Sequence, residues 1–101
     1  MPMKTLNDLL PILQDAKRDL MAKYPITEMG VFGSYARGDA DERSDLDILI
    51  DYTAPFTFFD LLDAEQDLSL RTGLPVRFSF RQKIAKNPYL EQNVMKDVRF
   101  L

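Results

Sequence analysis

Gly33-Ser34 and, after ten intervening residues, the pair Asp45 and Asp47 are the groups whose types and spacing could do chemistry. Val31-Phe32 closes an apolar run, and Gly33-Ser34 then turns the backbone sharply. A glycine lets backbone N–H groups approach a ligand, because no side chain stands in the way. A short helix beginning at Ser34 would add free N–H groups and a dipole suited to phosphate, with the serine hydroxyl as one more donor. Asp45-Leu46-Asp47-Ile48-Leu49-Ile50 is an acidic start on a strongly β-prone run. Residues two apart in a strand share a face, which sets these two carboxylates side by side, roughly 7 Å apart at Cβ. Left alone, such a pair repels itself. A divalent cation resolves the repulsion, and hard oxygen ligands suit Mg2+.

The elements that must position these groups follow from the hydrophobic spacing. Leu6, Leu9, Leu10, Leu13, Ala16, Leu20 and Met21 recur three and four apart, which predicts a helix over residues 5–24 with Thr5 as its N-cap. Pro11 lacks an N–H and crowds the preceding turn. It either sits awkwardly inside that helix or starts the main helix after a separate turn at residues 5–10. Pro25 ends the element, and Ile26 to Phe32 is the first strand. Beyond the Asp45–Tyr52 strand, Thr53-Ala54-Pro55 reads as a turn. Residues 57–72 read as a second amphipathic helix on Phe58, Leu61, Leu62, Glu65 and Leu68, with Gly73 past its end. Pro75 to Phe80 is a third strand whose alternation turns Val76, Phe78 and Phe80 to the core and Arg77 and Ser79 away from it. Asn87-Pro88 reads as cap and first position of a short helix to about Lys96, and Val98 to Leu101 is assigned a final strand. This order predicts an α/β (α+β) fold, a small mixed β-sheet with helices packed on one side.

Composition bounds the function. A chain of 101 residues is one domain, residues 1–101, with enough apolar content for one modest core. There is no cysteine and no histidine, which excludes disulfides, thiolate chemistry, ordinary zinc sites and a histidine base. The lack of cysteine fits a reducing compartment. No apolar run approaches membrane-spanning length and no signal-peptide pattern opens the chain, so the cytoplasm is the expected location. A net charge of -3 argues against a sequence-independent grip on DNA or RNA, which needs a basic face. No repeat, low-complexity segment or linker interrupts the chain.

Gly33-Ser34 followed at this spacing by Asp45-x-Asp47 resembles the signature of the polymerase-β-like nucleotidyltransferase superfamily. The minimal nucleotidyltransferases, which include antitoxins paired with HEPN-domain toxins, are the nearer match. Ala36, Arg37, Gly38 and Ser44 stand where that family usually carries the same residues, and the resemblance spans nearly the whole chain. It implies the polymerase-β-like nucleotidyltransferase fold and transfer of a nucleoside monophosphate, AMP from ATP, onto a hydroxyl of a protein or small molecule. Asp45 and Asp47 would be the catalytic, Mg2+-binding pair, and Gly33, Ser34, Arg37 and Ser44 the nucleotide- and phosphate-binding residues. In toxin–antitoxin members of the family the acceptor is the partner toxin, here a helical HEPN-type protein.

The third strand departs from that pattern. Active members usually carry a third carboxylate there, and the matching segment is Val76-Arg77-Phe78-Ser79, with Arg77 in the acidic position. The change replaces a metal ligand by a cation that keeps its proton. Arg77 is expected to reach Asp45 or Asp47 and neutralise the pair as a bidentate salt bridge. Ser79 is a poor substitute ligand, and a two-ion metal site is not expected.

Other charged and aromatic residues have simpler roles. Arg37, Asp39, Asp41, Glu42 and Arg43 read as solvated loop charges, with Arg37 the one assigned a phosphate contact. Asp51 reads as a strand-end charge, and Asp60, Asp63, Glu65 and Asp67 as a wet helix face. Phe56, Phe58 and Phe59 read as core or an apolar contact patch. Seven Phe and four Tyr suffice to furnish an apolar face for a partner or an oligomer. Two functions of different kind are compatible with these residues. One is a working nucleotidyltransferase. The other is a catalytically weakened or inactive nucleotide-binding or antitoxin module that acts by covering its partner.

Overall fold

The computed structural model describes residues 4–101. Helix α1 (Leu6–Lys23) opens with a reciprocal capping box between Thr5 and Asp8, and it buries Leu6, Leu9, Leu13, Ala16 and Leu20. Pro11 lies inside this continuous helix on its exposed face. Its local cost, roughly 3 kcal/mol for an interior proline, is outweighed by the capped start and the buried leucine stripe. The separate turn at residues 5–10 does not form.

Strand β1 (Ile26–Phe32) runs into the five-residue helix α2 (Gly33–Arg37), and strand β2 (Leu46–Tyr52) returns antiparallel beside β1. Helix α3 (Phe58–Thr72) carries a second capping box, Thr57 with Asp60, and Gly73 ends it at φ 72°, a backbone region open to glycine. It crosses to strand β3 (Val76–Phe80), which pairs parallel to β2. Helices α4 (Arg81–Ile84) and α5 (Pro88–Asp97) precede a short strand β4 (Arg99–Phe100) on β1. The mixed sheet has the order β3-β2-β1-β4.

One face of the sheet carries the main core. Leu46, Ile48 and Ile50 of β2 pack there with Met29, Val31 and Phe78, beneath α1 and the Ala64 and Leu68 face of α3. The expectation that the helices pack on one side holds for these two alone. A second, smaller cluster of Leu49, Ile84 and Val94 adds α4 and α5 on the opposite face. The signal for it lies in the unbroken apolar run Ile48-Leu49-Ile50, since a strand covered on both faces reads as continuous rather than alternating. α4 and its covering role are additions to the sequence reading.

Several side chains depart from their sequence assignments. Glu65 is no solvated charge: its Oε2 accepts the Phe78 N–H at 3.0 Å, tying α3 to the edge strand. Asp67 holds Arg71 at 2.7 Å, and Arg71 in turn reaches Asp19 of α1 at 2.9 Å. Phe56 packs with Tyr24 and Tyr52, whereas Phe58 and Phe59 stand exposed. Val98 closes α5, which shortens the final strand to two residues. Among the described residues no helix is long and apolar enough to cross a membrane.

Candidate active site

Alternation along β2 decides where the carboxylate points. Leu46 and Ile48 turn into the main core, so Asp47 emerges on the opposite face, beside Leu49 and toward α5. In the sheet Asp47 is registered on Phe32 of β1 and on Arg77 of β3. Asp45 lies just before the strand, one residue outside it.

Gly33 follows Phe32 with φ 74°, and a Cβ built on it would stand 2.4 Å from Asp47 Oδ2. That space is open only to glycine, and it leaves the backbone at the start of α2 directly against the Asp47 carboxylate. α2 begins at Gly33 itself, one residue before the expected Ser34, and buried Tyr35 anchors it to the main core. Gly33, Ser34, Arg37 and Asp47 then line a single open cleft of about 300 Å3 with Phe32, Asn93, Val94 and Asp97.

The structure brings four of the expected residues together there and sets three apart. The Ser44 hydroxyl accepts the Asp41 N–H at 2.9 Å and donates to Asp41 Oδ1 at 3.2 Å, so it closes the loop before β2. Arg77 Nη2 donates to Asp45 Oδ2 at 2.8 Å, beside the cleft rather than within it. The expected bidentate bridge is therefore a single contact, made by an arginine side chain that is 68% exposed. An ion pair so exposed contributes about 0–1 kcal/mol. Asp47 makes no side-chain hydrogen bond or ion pair with any described residue. Burial pushes its carboxyl above the ordinary range; Arg77 draws it back, Asp45 adds to the rise and Arg37 opposes it.

Arg37, the last residue of α2, is not merely a loop charge. Its Nε donates to Asp39 and its Nη1 to Asp97, each at 3.2 Å, which holds its proton more firmly than usual. Asn93, Val94 and Asp97 of α5 form the wall that sequence reasoning missed. The available signal was the spacing of Asn93 and Asp97, one helical turn apart beside the apolar Val94.

Among the described residues no group of three or more carboxylates converges as a metal cage. Asp47, unpaired and facing the cleft, fits a hard divalent cation that takes its remaining oxygens from phosphate and water.

Residues 13–101 match a family described as a nucleotidyltransferase domain, and the chain belongs to that family. It is 38% identical over 90 residues to the protein adenylyltransferase MntA of Thermococcus cleftensis, covering 85% of this chain and 91% of that protein. A solved structure of a minimal nucleotidyltransferase overlays with a TM-score of 0.79 at 28% identity, over 100% of both chains. A toxin–antitoxin structure with AMP-PNP shares the fold, with a TM-score of 0.68 at 18% identity over 86% of this chain and 70% of that one. The fold and the family are those that the motif resemblance implied. The protein is a transferase of the nucleotidyltransferase class.

Proposed function

We propose that this chain transfers AMP from ATP, with Mg2+, to a hydroxyl group of a partner protein, and that the partner is a helical HEPN-type toxin for which the chain is the antitoxin. The observation that carries the reading is the cleft itself, where the Gly33 backbone, Ser34, Arg37 and the unpaired Asp47 carboxylate meet. The relative named a protein adenylyltransferase supports AMP as the group moved and a protein as the acceptor. The toxin–antitoxin structure with AMP-PNP shares this fold, in keeping with the antitoxin reading.

Asp47, and Asp45 once it leaves Arg77, would hold the metal. Mg2+ held there would supply orientation of the triphosphate and neutralisation of the leaving pyrophosphate's charge. The Gly33 and Ser34 N–H groups and the Ser34 hydroxyl bind the β- and γ-phosphates, and the Arg37 guanidinium adds a fixed positive charge. Arg77 accepts no proton from the acceptor hydroxyl, and transfer by the wild-type chain is accordingly slow. The non-catalytic reading draws on the same ion pair, because Arg77 holds one of the two ligands.

The test establishes whether an adjacent reading frame encodes a small helical HEPN-type protein and incubates the purified chain with labelled ATP, Mg2+ and that protein. Label on a hydroxyl of that protein is the expected result. Tight binding without label, at any metal concentration, selects the non-catalytic antitoxin. Neither binding nor label removes the toxin as partner.

The cradle has its own test. Gly33→Val forces a β-branched residue to positive φ and pushes its Cβ onto the Asp47 carboxylate. The expected outcome is a loss of about 1–3 kcal/mol in stability and of at least about tenfold in affinity for ATP with Mg2+. Calorimetry on the folded fraction checks it, and unchanged affinity removes Gly33 from the phosphate site.

A further inference from the structure

Arg37 ends α2 and Asp97 ends α5, sixty residues on, and their side chains meet at the cleft. Nη1 of Arg37 donates to Asp97 Oδ2, and Nε donates to Asp39 Oδ2, both at 3.2 Å. Two carboxylates on different edges of one planar guanidinium fix its orientation as well as its place. Nη2 pairs with no described residue. The two partners differ in shelter. The Asp97 side chain is 22% exposed and the Asp39 side chain 62%, so water and salt screen the Asp97 pair less.

Asp97 is itself held in place. α5 is capped by Asn87, whose Oδ1 accepts the Leu90 N–H at 3.2 Å, and it is pinned to the sheet by buried Val94, three residues before Asp97. The ion pair thus joins the helix that follows β1 to the helix that covers the opposite wall of the cleft.

We propose that Asp97 is a positioning residue, which through this ion pair holds the Arg37 guanidinium with its free N–H groups toward the β- and γ-phosphates of a bound triphosphate. The proposal rests on the reading of Arg37 as a phosphate ligand. A carboxylate beside a phosphate site repels the ligand if it acts alone; its benefit comes only through the cation that it orients. Pre-ordering a long side chain removes the entropy that phosphate binding would otherwise cost.

The experiment measures AMP-PNP and AMP binding, each with Mg2+, by calorimetry on the wild type, Asp97→Ala, Asp97→Glu, Arg37→Ala and the double alanine variant. Asp97→Ala is expected to weaken AMP-PNP binding about tenfold and AMP binding by no more than about twofold, while Asp97→Glu retains most of the affinity. The double variant should bind AMP-PNP no more weakly than Arg37→Ala alone, since Asp97 acts through Arg37. If Asp97→Ala binds AMP-PNP as tightly as the wild type or tighter while Arg37→Ala is weakened, the positioning role is wrong and Arg37 remains a phosphate ligand. Additive losses in the double variant also overturn it. If Arg37→Ala binds AMP-PNP normally, the underlying reading of Arg37 falls first.

Discussion

Asp47→Asn is expected to raise the melting temperature of the nucleotide-free protein by a few degrees and to lower adenylyl transfer at least about a hundredfold. Both effects come from one carboxylate. It is partly buried beside Phe32 and Arg77, and no described donor satisfies it. Burial raises its folded-state pKa, and the attractions of Arg77 and Arg37 only partly offset this. A carboxylate with a raised folded pKa helps the fold while protonated. That contribution is complete below the unfolded-state value and is lost as pH rises through the folded one. At neutral pH the ionised group therefore works against folding, and an amide of the same size relieves it. Melting curves should show the variant gaining over the wild type from acid to neutral pH, with no difference below the carboxylate range. The thermal shift produced by Mg2+ with ATP should disappear, because the cleft has lost its unpaired anionic ligand. A large fall in nucleotide-free stability would instead make Asp47 a structural residue and remove it from the metal site.

What the sequence disclosed and what it hid divide along the range of the interactions. Gly33 and Asp47 were legible because their roles are local: a turn that needs positive φ, and strand alternation that lifts a carboxylate out of the core. Arg77 was placed on the correct face by the same alternation, one strand over. Its partner is Asp45, one of the two expected, but the single contact in place of a bidentate bridge was not legible, since a long exposed side chain settles on nearby carboxylates by loop geometry and Asp45 lies in the loop. Ser44 matched a motif position, yet its hydroxyl closes the Asp41 turn. Such a hydroxyl is easily captured by backbone a few residues away. The α5 wall escaped notice for another reason. The sequence assigned no role to Asn93 or Asp97, the latter just past the expected end of the helix, and only the packing of Val94 with Leu49 turns that side toward Gly33. Glu65 shows the same limit: its spacing sets it in line with Leu61 and Leu68, its charge read as solvated, and its acceptor role depends on where β3 runs.

Arg77→Asp is expected to tighten Mg2+ binding in the absence of nucleotide by at least about tenfold and to raise AMP transfer to the partner protein. The substitution acts at a position registered directly on Asp47, so the new carboxylate joins the pair on the same face of the sheet. It also frees Asp45, which in the wild type is held at 2.8 Å by the arginine. That ion pair is weak in itself, given its exposure, and a metal–triphosphate complex can displace it. A bare dication has less to offer in exchange and meets a fixed positive charge beside its site. Wild-type transfer should accordingly need high metal concentration, and the variant should not. Three carboxylates without a cation repel one another, so the variant should melt lower than the wild type when stripped of metal and recover on adding Mg2+. The comparison is a side-by-side transfer assay at fixed partner concentration, with Mg2+ titrated in both. A fast wild type and a dead Arg77→Asp would make Arg77 a catalytic cation that steadies phosphate charge, and the weakened-site reading would be wrong. If neither chain labels a partner that both bind tightly, the chain acts as an antitoxin by covering that partner, and the cleft serves to bind nucleotide without transferring it.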